Sequence, residues 1–417
     1  MGVFYFDTTS ASQVTKVKYT RHTVDFLVMK SPFFGRATKE TDGGGSSYNG
    51  TLNIAPMASA SPVDTIAAQT GGPSVYAQWT CPWYDYYATA NITSRAIAAT
   101  NGSDKAMVRA IVAEADRSYE TFGRSMGTMV WGLGGGSIGK LNGSGSVTGV
   151  AALTLSNVNQ ILNFYKGQVL NFATTNGLTG AVEAGSVTVA AIDINNGTIT
   201  PTANWNSSVT TIANSDYIFQ QGSFGLFAPG VPGWIPDKNN RPGATDSFNG
   251  QNRFTLDPTL SAGVFYDGKS NPKDQSLFQL LTLCERLTPA GSGQGPTDFY
   301  LNPVDYADVV RSLTSRTQNV IEKAYNNPQI GFDGVEIVSD RGAGKKIFKD
   351  PFVLSGNGYA LDMESWVIAS MGEIPYLTSQ DGLEWARQSA AFAYQRRIEA
   401  HYTTFCSGPY RNGVVTF

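Results

Sequence analysis

Residues 104–133 contain the feature that most limits how this chain can fold, a helical stripe of apolar residues that continues through the whole segment. The stripe recurs at steps of three and four, the spacing that places side chains on one face of an α-helix. About 30 residues at a rise of ~1.5 Å each form a rod of roughly 45 Å. The sequence therefore predicts one long helix that packs through this face. The apolar positions are Met107, Ile111, Ala115, Tyr119, Phe122, Met126, Met129 and Leu133.

The ends and the polar face of this helix are also predictable. Ser103 and Asp104 are suitable N-terminal caps, and the run GLGGG at 132–136 ends the helix. Glu120 and Arg124 stand four residues apart on the polar face and predict an ion pair. Glycines at 123 and 127 predict a bend or a close approach of another element.

Composition narrows the class of protein. The 417 residues suffice for two or three compact units, and only 15% of them are charged, against about 25% in an average soluble domain. A surface with so little charge suits a protein that neighbours cover, or a secreted β-rich protein. The net charge of −3 excludes a strongly basic nucleic-acid binder. Residues 1–40 nevertheless carry six basic and three acidic residues, typical of a solvated arm or of polyanion contact.

Cysteine usage and hydropathy predict a protein of a reducing compartment. Cys81, Cys284 and Cys406 are scattered and form no C-x-x-C pair, so neither a disulfide framework nor a zinc site is expected. No segment reaches the roughly 18 apolar residues that span a bilayer, and residues 1–16 show no secretory pattern. The sequence therefore predicts no contact with a membrane.

The segment MVWGLGGGSIGKL at 129–141 has the spacing of a phosphate-binding loop through Gly134, Gly139 and Lys140. A working loop needs Ser or Thr after the lysine, and Leu141 stands there. It also needs a strand before it and a helix after it, whereas a long helix precedes this segment. We interpret the glycines as a helix stop.

Other catalytic signals are sparse. His22 and His401 are the two histidines, and neither has a nucleophile or a metal ligand nearby in sequence, so both are interpreted as structural or surface residues. No metal site or cofactor is predicted. The 33 acidic residues leave one alternative open, a β-rich carbohydrate-active hydrolase that uses paired carboxylates.

The remaining segments predict a mixture of strands and helices, an α+β fold. The residues before the long helix read as an extended hairpin, and 165–222 read as a small β-barrel with a hairpin at INNGTI. Helices are expected at 272–287 and 302–325, the second capped by Asn302. Aromatic residues concentrate in the predicted hairpin and are candidates for an assembly interface. They are Tyr76, Trp79, Trp83, Tyr84, Tyr86 and Tyr87.

The order of these elements resembles the major capsid proteins of tailed bacteriophages, the Hong Kong 97 fold. The resemblance covers nearly the whole chain and is carried by the long helix and by three phrases further on. These are GWIPDKNNRPGATDSFNGQNRFTLDPTLSAGV, PTDFYLNPVDYADVVRSL and YQRRIEAHYTTFCSGP. It implies a structural protein without enzymatic activity.

The resemblance also implies a division of the chain. Residues 1–40 would be the N-terminal arm, and 41–100 the extended loop that overlaps a neighbour. Residues 101–164 would hold the spine helix and the start of the peripheral domain. Residues 165–222 would be an inserted β-barrel, 223–375 mainly the axial domain, and 376–417 the strand that completes the peripheral domain.

Partners follow from the same resemblance. The chain would form hexamers and pentamers of an icosahedral head in the virion, assembled in the host cytoplasm, with a separate scaffolding protein and a portal. Contact with packaged double-stranded DNA would be non-specific, and local basic stretches such as 341–349 would tolerate it. No lysine occurs at 41–104, so a lysine-based cross-link from the extended loop is not expected.

Overall fold

The structure is a computed structural model that describes residues 31–55, 62–65, 75–93, 104–143, 152–287, 295–316, 336–339, 342–372, 376–377, 386–387 and 393–417. Its helices and strands, numbered here within those residues, are given in chain order. The helices are α1 (Pro32–Arg36), α2 (Asp104–Val130), α3 (Trp205–Ser208), α4 (Val231–Trp234), α5 (Arg253–Leu256), α6 (Pro258–Ala262), α7 (Lys273–Leu287) and α8 (Pro303–Arg316). The strands are β1 (Thr38–Glu40), β2 (Ser47–Ala55), β3 (Val75–Pro82), β4 (Tyr84–Thr93), β5 (Ser137–Lys140), β6 (Leu153–Thr154), β7 (Val169–Ala173), β8 (Val187–Asp193), β9 (Thr198–Pro201), β10 (Tyr217–Gln220), β11 (Val264–Asp267), β12 (Asp298–Leu301), β13 (Glu336–Ser339), β14 (Gly342–Lys349), β15 (Asn357–Leu361), β16 (Trp366–Ser370), β17 (Tyr376–Leu377), β18 (Ala386–Arg387), β19 (Ala393–Cys406) and β20 (Gly413–Thr416).

Helix α2 is the predicted spine helix, and one sheet packs against it. Strand β19 pairs antiparallel with β4 over ten residues and with β16 at its far end. Strand β1 lies parallel to β16, and β17 and β18 also pair with β19. We call these strands the spine sheet. The ten-residue pairing with β19 places β4, which belongs to the predicted extended loop, against the spine helix.

A second sheet closes on itself and forms the predicted β-barrel. Its antiparallel order is β5-β10-β7-β8-β9-β6, and a bridge between Leu141 and Leu155 joins its two edges. At this closure the Asn142 amide donates to the Thr154 carbonyl at 2.9 Å, and the Ser156 amide to the Lys140 carbonyl at 2.8 Å. The barrel has its own core, which centres on large buried side chains. These include Phe164, Leu170, Phe172, Trp205 and Ile218.

The third sheet, which we call the α/β sheet, carries helices α7 and α8. Its order is β11-β20-β15-β12-β14-β13, with β20 parallel to β11 and antiparallel to β15. Leu277, Leu280 and Leu281 of α7 are buried against this sheet. Helix α8 begins as predicted, because the Asn302 side chain accepts a hydrogen bond from the Val304 amide at 3.1 Å.

The mixed α+β class is confirmed, and three local expectations need correction. The barrel starts at β5 rather than at residue 165, since β5 and β6 belong to its sheet. Residues 376–417 are not one peripheral strand, because β19 lies in the spine sheet while β20 lies between β11 and β15. The spine helix ends at Val130, three residues before the end of the apolar stripe. No helix in the described part of the chain is long and apolar enough to cross a membrane.

Candidate assembly surface

Strands β2 and β3 form a two-stranded antiparallel hairpin, which joins no larger sheet among the described residues. Side chains of β3 alternate between buried and exposed, because successive residues of a strand point to opposite faces. Ala77, Trp79 and Cys81 are buried, while Tyr76 and Gln78 are exposed. The hairpin therefore has one face on the body of the chain and one face open.

Trp79 fixes the base of this hairpin. It is 0% exposed, and its ring lies edge-on to Trp234 at 5.6 Å and to Phe248 at 6.1 Å between centroids. The Thr80 amide donates to the Asn249 carbonyl at 3.0 Å. Contacts with residues 234–249 thus hold the hairpin, and Trp79, a predicted interface residue, lies in the core of its own chain.

The other predicted interface aromatics divide between core and surface. Tyr86 packs against Phe122 at 5.4 Å and Phe227 at 6.0 Å, and burial raises the pKa of its phenol to about 12. Tyr84 is partly buried in the same cluster, and Trp83 lies edge-on to Tyr48 at 6.3 Å. The side chains of Tyr86, Tyr84 and Trp83 thus pack against other residues of the same chain.

Tyr76 and Tyr87 remain as the exposed pair, at 65% and 55% of their surface. Tyr76 lies opposite Asn53 in the hairpin, and Tyr87 is on β4 beside His401, with ring centroids 6.1 Å apart. The His401 Nδ1 lies 2.5 Å from a carboxylate oxygen of Asp85 on the same face. Two open aromatic faces on the extended segment are therefore available to another molecule.

The spine helix packs through its predicted apolar face. Phe122, Met126 and Met129 are each 3% exposed and contact the β19 side chains Ile398 and Tyr402. The Tyr402 hydroxyl donates to the Met129 sulfur at 2.9 Å. Tyr119 is partly buried at the edge of this cluster, whereas the side chains of Met107 and Ile111 lie outside the described residues.

The two glycines of the spine helix differ. A Cβ at position 127 would lie 2.5 Å from the Phe352 ring, so this glycine allows the predicted close approach. At position 123 there is open space, and the glycine has no packing role. The predicted Glu120–Arg124 ion pair is not formed, because Arg124 turns inward and donates to the carbonyls of Leu162 and Phe164.

Residues 31–40, the described part of the arm, are built into the core. Phe33 is 1% exposed and lies edge-on to Trp131 and Trp366, with centroids 5.9 and 5.6 Å apart. Ser31 donates to the carboxylate of Asp350. Sequence reasoning missed this role, although proline after a serine marks a helix start and Phe33 follows it.

Two buried carboxylates hold this segment. Arg36 forms an ion pair with Asp298, and the Trp131 indole donates to Asp350 at 2.9 Å. Burial raises the pKa of both carboxyls, and the groups that bond to them oppose the rise. Both side chains serve structure, since their oxygens are already bonded within the chain.

A cleft of about 560 Å³ lies between the barrel and the body. Asp237 is the one carboxylate among its lining residues, and it caps the turn at Asn239 and Asn240. A glycosidase needs two carboxylates that face one bond. The cleft therefore lacks the second carboxylate that the hydrolase alternative needs.

The glycine-rich segment has the order of elements opposite to that of a phosphate loop. Helix α2 precedes it and strand β5 follows it. Gly134 and Gly136 adopt positive φ angles of 100° and 84°, which suit a sharp helix exit. The Lys140 ammonium lies 4.7 Å from the Tyr217 ring centroid. Within the described residues, no group of His, Cys, Asp and Glu side chains is arranged to hold a metal ion.

Comparison with known proteins gives structural matches alone, since no protein-family model and no curated protein matches the sequence. A chain of the cyanophage A-1(L) capsid asymmetric unit superposes with a TM-score of 0.57 at 10% identity, over 96% of both chains. The capsid of the native GTA particle matches with a TM-score of 0.47 at 9% identity, over 96% of this chain and 95% of the other. A chain from Mycobacterium phage Ogopogo gives 0.44 at 12% identity, over 100% and 99%.

The first of these matches defines the class of fold. It extends over nearly the whole of both chains. The chain has the fold of a tailed-phage major capsid protein.

Proposed function

We propose that this chain is a structural protein of a bacteriophage head, a major capsid protein that assembles with copies of itself into a closed shell. The observation that carries the proposal is the match over 96% of both chains to a chain of the cyanophage A-1(L) capsid. The finer form of the proposal is an icosahedral shell of hexamers and pentamers that encloses double-stranded DNA in the virion.

Surface chemistry supports self-assembly. Low charge reduces the repulsion between many identical copies, and repeated modest contacts add up in a closed assembly. The hairpin of β2 and β3 presents one face to solvent, and Tyr76 is 65% exposed on it. Exposed tyrosine is a frequent centre of protein interfaces, because its ring buries a large area at a small entropic cost. We place Tyr76 and Tyr87 in contacts between subunits.

The proposal assigns no enzymatic activity. Buried carboxylates in the described residues bond to structural partners, as Asp298 does to Arg36 and Asp305 to Lys273 at 2.6 Å. A catalytic carboxylate would face a cleft with a second one beside it. The hydrolase alternative has no observation in its favour.

Electron microscopy of the purified full chain tests the proposal. We expect closed particles, either from the chain alone or after co-expression with a separate scaffolding protein and a portal from the same phage. A chain that stays monomeric in both cases contradicts it.

A variant pair tests the surface. Tyr76→Ser and Tyr87→Ser should each lower the yield of particles about tenfold, the effect of losing ~1.4 kcal/mol per contact. Leu178→Ser is the matched control, since Leu178 is 57% exposed but lies on the barrel. Equal yields for all three variants would remove the two tyrosines from the interface and leave the shell proposal standing.

A further inference from the structure

Arg124 is a cation buried where the spine helix meets the barrel. The residue is 7% exposed. Its Nη2 donates to the carbonyls of Leu162 and Phe164, the second at 3.0 Å, and its guanidinium carbon lies 5.6 Å from the centroid of the Tyr165 ring. The Nε–H group is buried and has no hydrogen-bond partner. One strong donor on this side chain is therefore unsatisfied.

No group among the described residues supplies the missing negative charge. Burial lowers the pKa of Arg124, and Tyr165 alone opposes this. Burial also raises the pKa of the Tyr165 phenol, so that group is neutral at pH 7. A buried charge without a counter-charge costs several kcal/mol, and buried charges in proteins are accordingly paired. A small anion at Nε would supply the missing negative charge.

A cavity of about 20 Å³ lies against Arg124. This volume holds one water-sized particle, for which about 10–15 Å³ is needed. Ser125 and Gln220 also line it, and both donate to the Tyr86 hydroxyl. Gln168 also lines it and uses its amide oxygen to accept from the Tyr165 amide at 3.3 Å, which leaves its amide nitrogen as a donor. No carboxylate is among the residues that line the cavity.

The cavity lies next to the larger cleft. Thr128, Ser137 and Asn163 line both this cavity and the 560 Å³ cleft between barrel and body. The cavity is therefore adjacent to the cleft, and its volume of about 20 Å³ holds nothing larger than a single atom or a water molecule.

We propose that this cavity is a binding site for one monatomic anion, chloride under cellular conditions, which pairs with the Nε–H of Arg124. The bound ion neutralises the buried guanidinium and couples the spine helix to residues 162–164, which lie between β6 and β7 of the barrel. The site lies within one chain, so it stands or falls independently of the proposed shell.

The direct test is ³⁵Cl NMR of the purified full chain in sodium chloride. A bound chloride broadens the resonance, bromide displaces it and narrows the line again, and gluconate does not. A line width equal to that of buffer overturns the proposal and means that the cavity holds water only.

Thermal unfolding provides a second readout. In 200 mM chloride the Tm should exceed that in gluconate of equal ionic strength by about 2 °C, because a ligand of the native state stabilises it by mass action. Arg124→Met should abolish this difference. Arg241→Met is the matched control and should retain it, since Arg241 also donates only to carbonyls, those of Ala262 and Gly263 at 3.0 Å, but lies outside the cavity. If Arg124→Met does not fold, the line width of the natural chain decides alone.

Discussion

Replacement of Phe33 by alanine should destabilise the chain as much as the loss of a central core residue. The Phe33 side chain is 1% exposed, and four aromatic rings surround it edge-on at centroid distances of 5.6–6.4 Å. Truncation of a buried phenylalanine to alanine costs about 3–5 kcal/mol, and edge-on ring pairs add about 0.5–1.5 kcal/mol beyond the area buried. We expect Phe33→Ala to lower the free energy of unfolding by about 5 kcal/mol.

The assay is urea-induced unfolding of the unassembled chain, followed by tryptophan fluorescence. Phe34→Ala is the matched control, because Phe34 is the adjacent residue, has the same side chain and is only partly buried. We expect this control to cost about 1–2 kcal/mol. If the two variants unfold at the same urea concentration, or if Phe33→Ala costs less than about 1.5 kcal/mol, then residues 31–36 are not part of the core and the reasoning fails.

Three further results are expected. Gly50→Ala places a Cβ 2.0 Å from the nearest atom of the Phe405 ring, so the ring or the hairpin must move. We expect the free energy of unfolding, measured with heat or urea, to fall by about 1–3 kcal/mol. Asp350→Asn should gain stability relative to the natural chain as pH rises. Burial raises the pKa of the Asp350 carboxyl, so the native state binds the proton more tightly than the unfolded state does. The natural chain therefore loses stability as pH rises from the usual carboxyl pKa through the raised one. The Cys81 thiol, whose pKa burial raises to about 12, should not react with a maleimide at pH 8 until urea is added.

Each of these has its own control. Gly44→Ala should be nearly neutral, because no atom lies within 4 Å of its added Cβ. For Asp350→Asn, the quantity to plot against pH is the difference in unfolding free energy between the variant and the natural chain. The range runs from about pH 4, near the usual carboxyl pKa, to about pH 8. A flat difference contradicts the burial argument. For Cys81, labelling of the native chain at the rate of the unfolded chain would contradict it.

Local periodicity was sufficient to predict the spine helix and its buried face. Phe122, Met126 and Met129 pack as the stripe indicates, because a helix must bury its apolar side somewhere. The same reasoning failed for Arg124, since a helical pattern cannot show that a cation turns inward to meet two carbonyls. It also predicted the hairpin at INNGTI, whose loop in the structure is residues 194–197, because β8 ends at Asp193 and β9 begins at Thr198. The Asp193 carboxylate accepts the Asn195 and Asn196 amides and stabilises the longer turn.

The candidate surface was harder to predict than the fold. Alternation in β3 predicts that one face is apolar, but both a core and an interface are apolar, so Trp79 and Tyr76 look alike in the sequence. What separates them is the loop around Trp234 and Phe248, which lies more than 150 residues away along the chain and covers only Trp79. Contacts of that range leave no trace in a local pattern. The same holds for β20, whose four residues gave no indication that they insert between β11 and β15.

The placement of β19 and β20 has a consequence for how the polypeptide acquires its shape during synthesis. Residues 393–417 supply an interior strand to the spine sheet and another to the α/β sheet. The strands that pair with them are translated first and stay unpaired on that side until residues 393–417 are made. Neither sheet can be completed until this stretch has left the ribosome, whereas the barrel, whose strands all lie within 137–220, can form earlier. Unpaired strands that wait in this way are prone to aggregate. A ribosome that stalls before codon 393 would therefore release a folded barrel joined to two unfinished sheets.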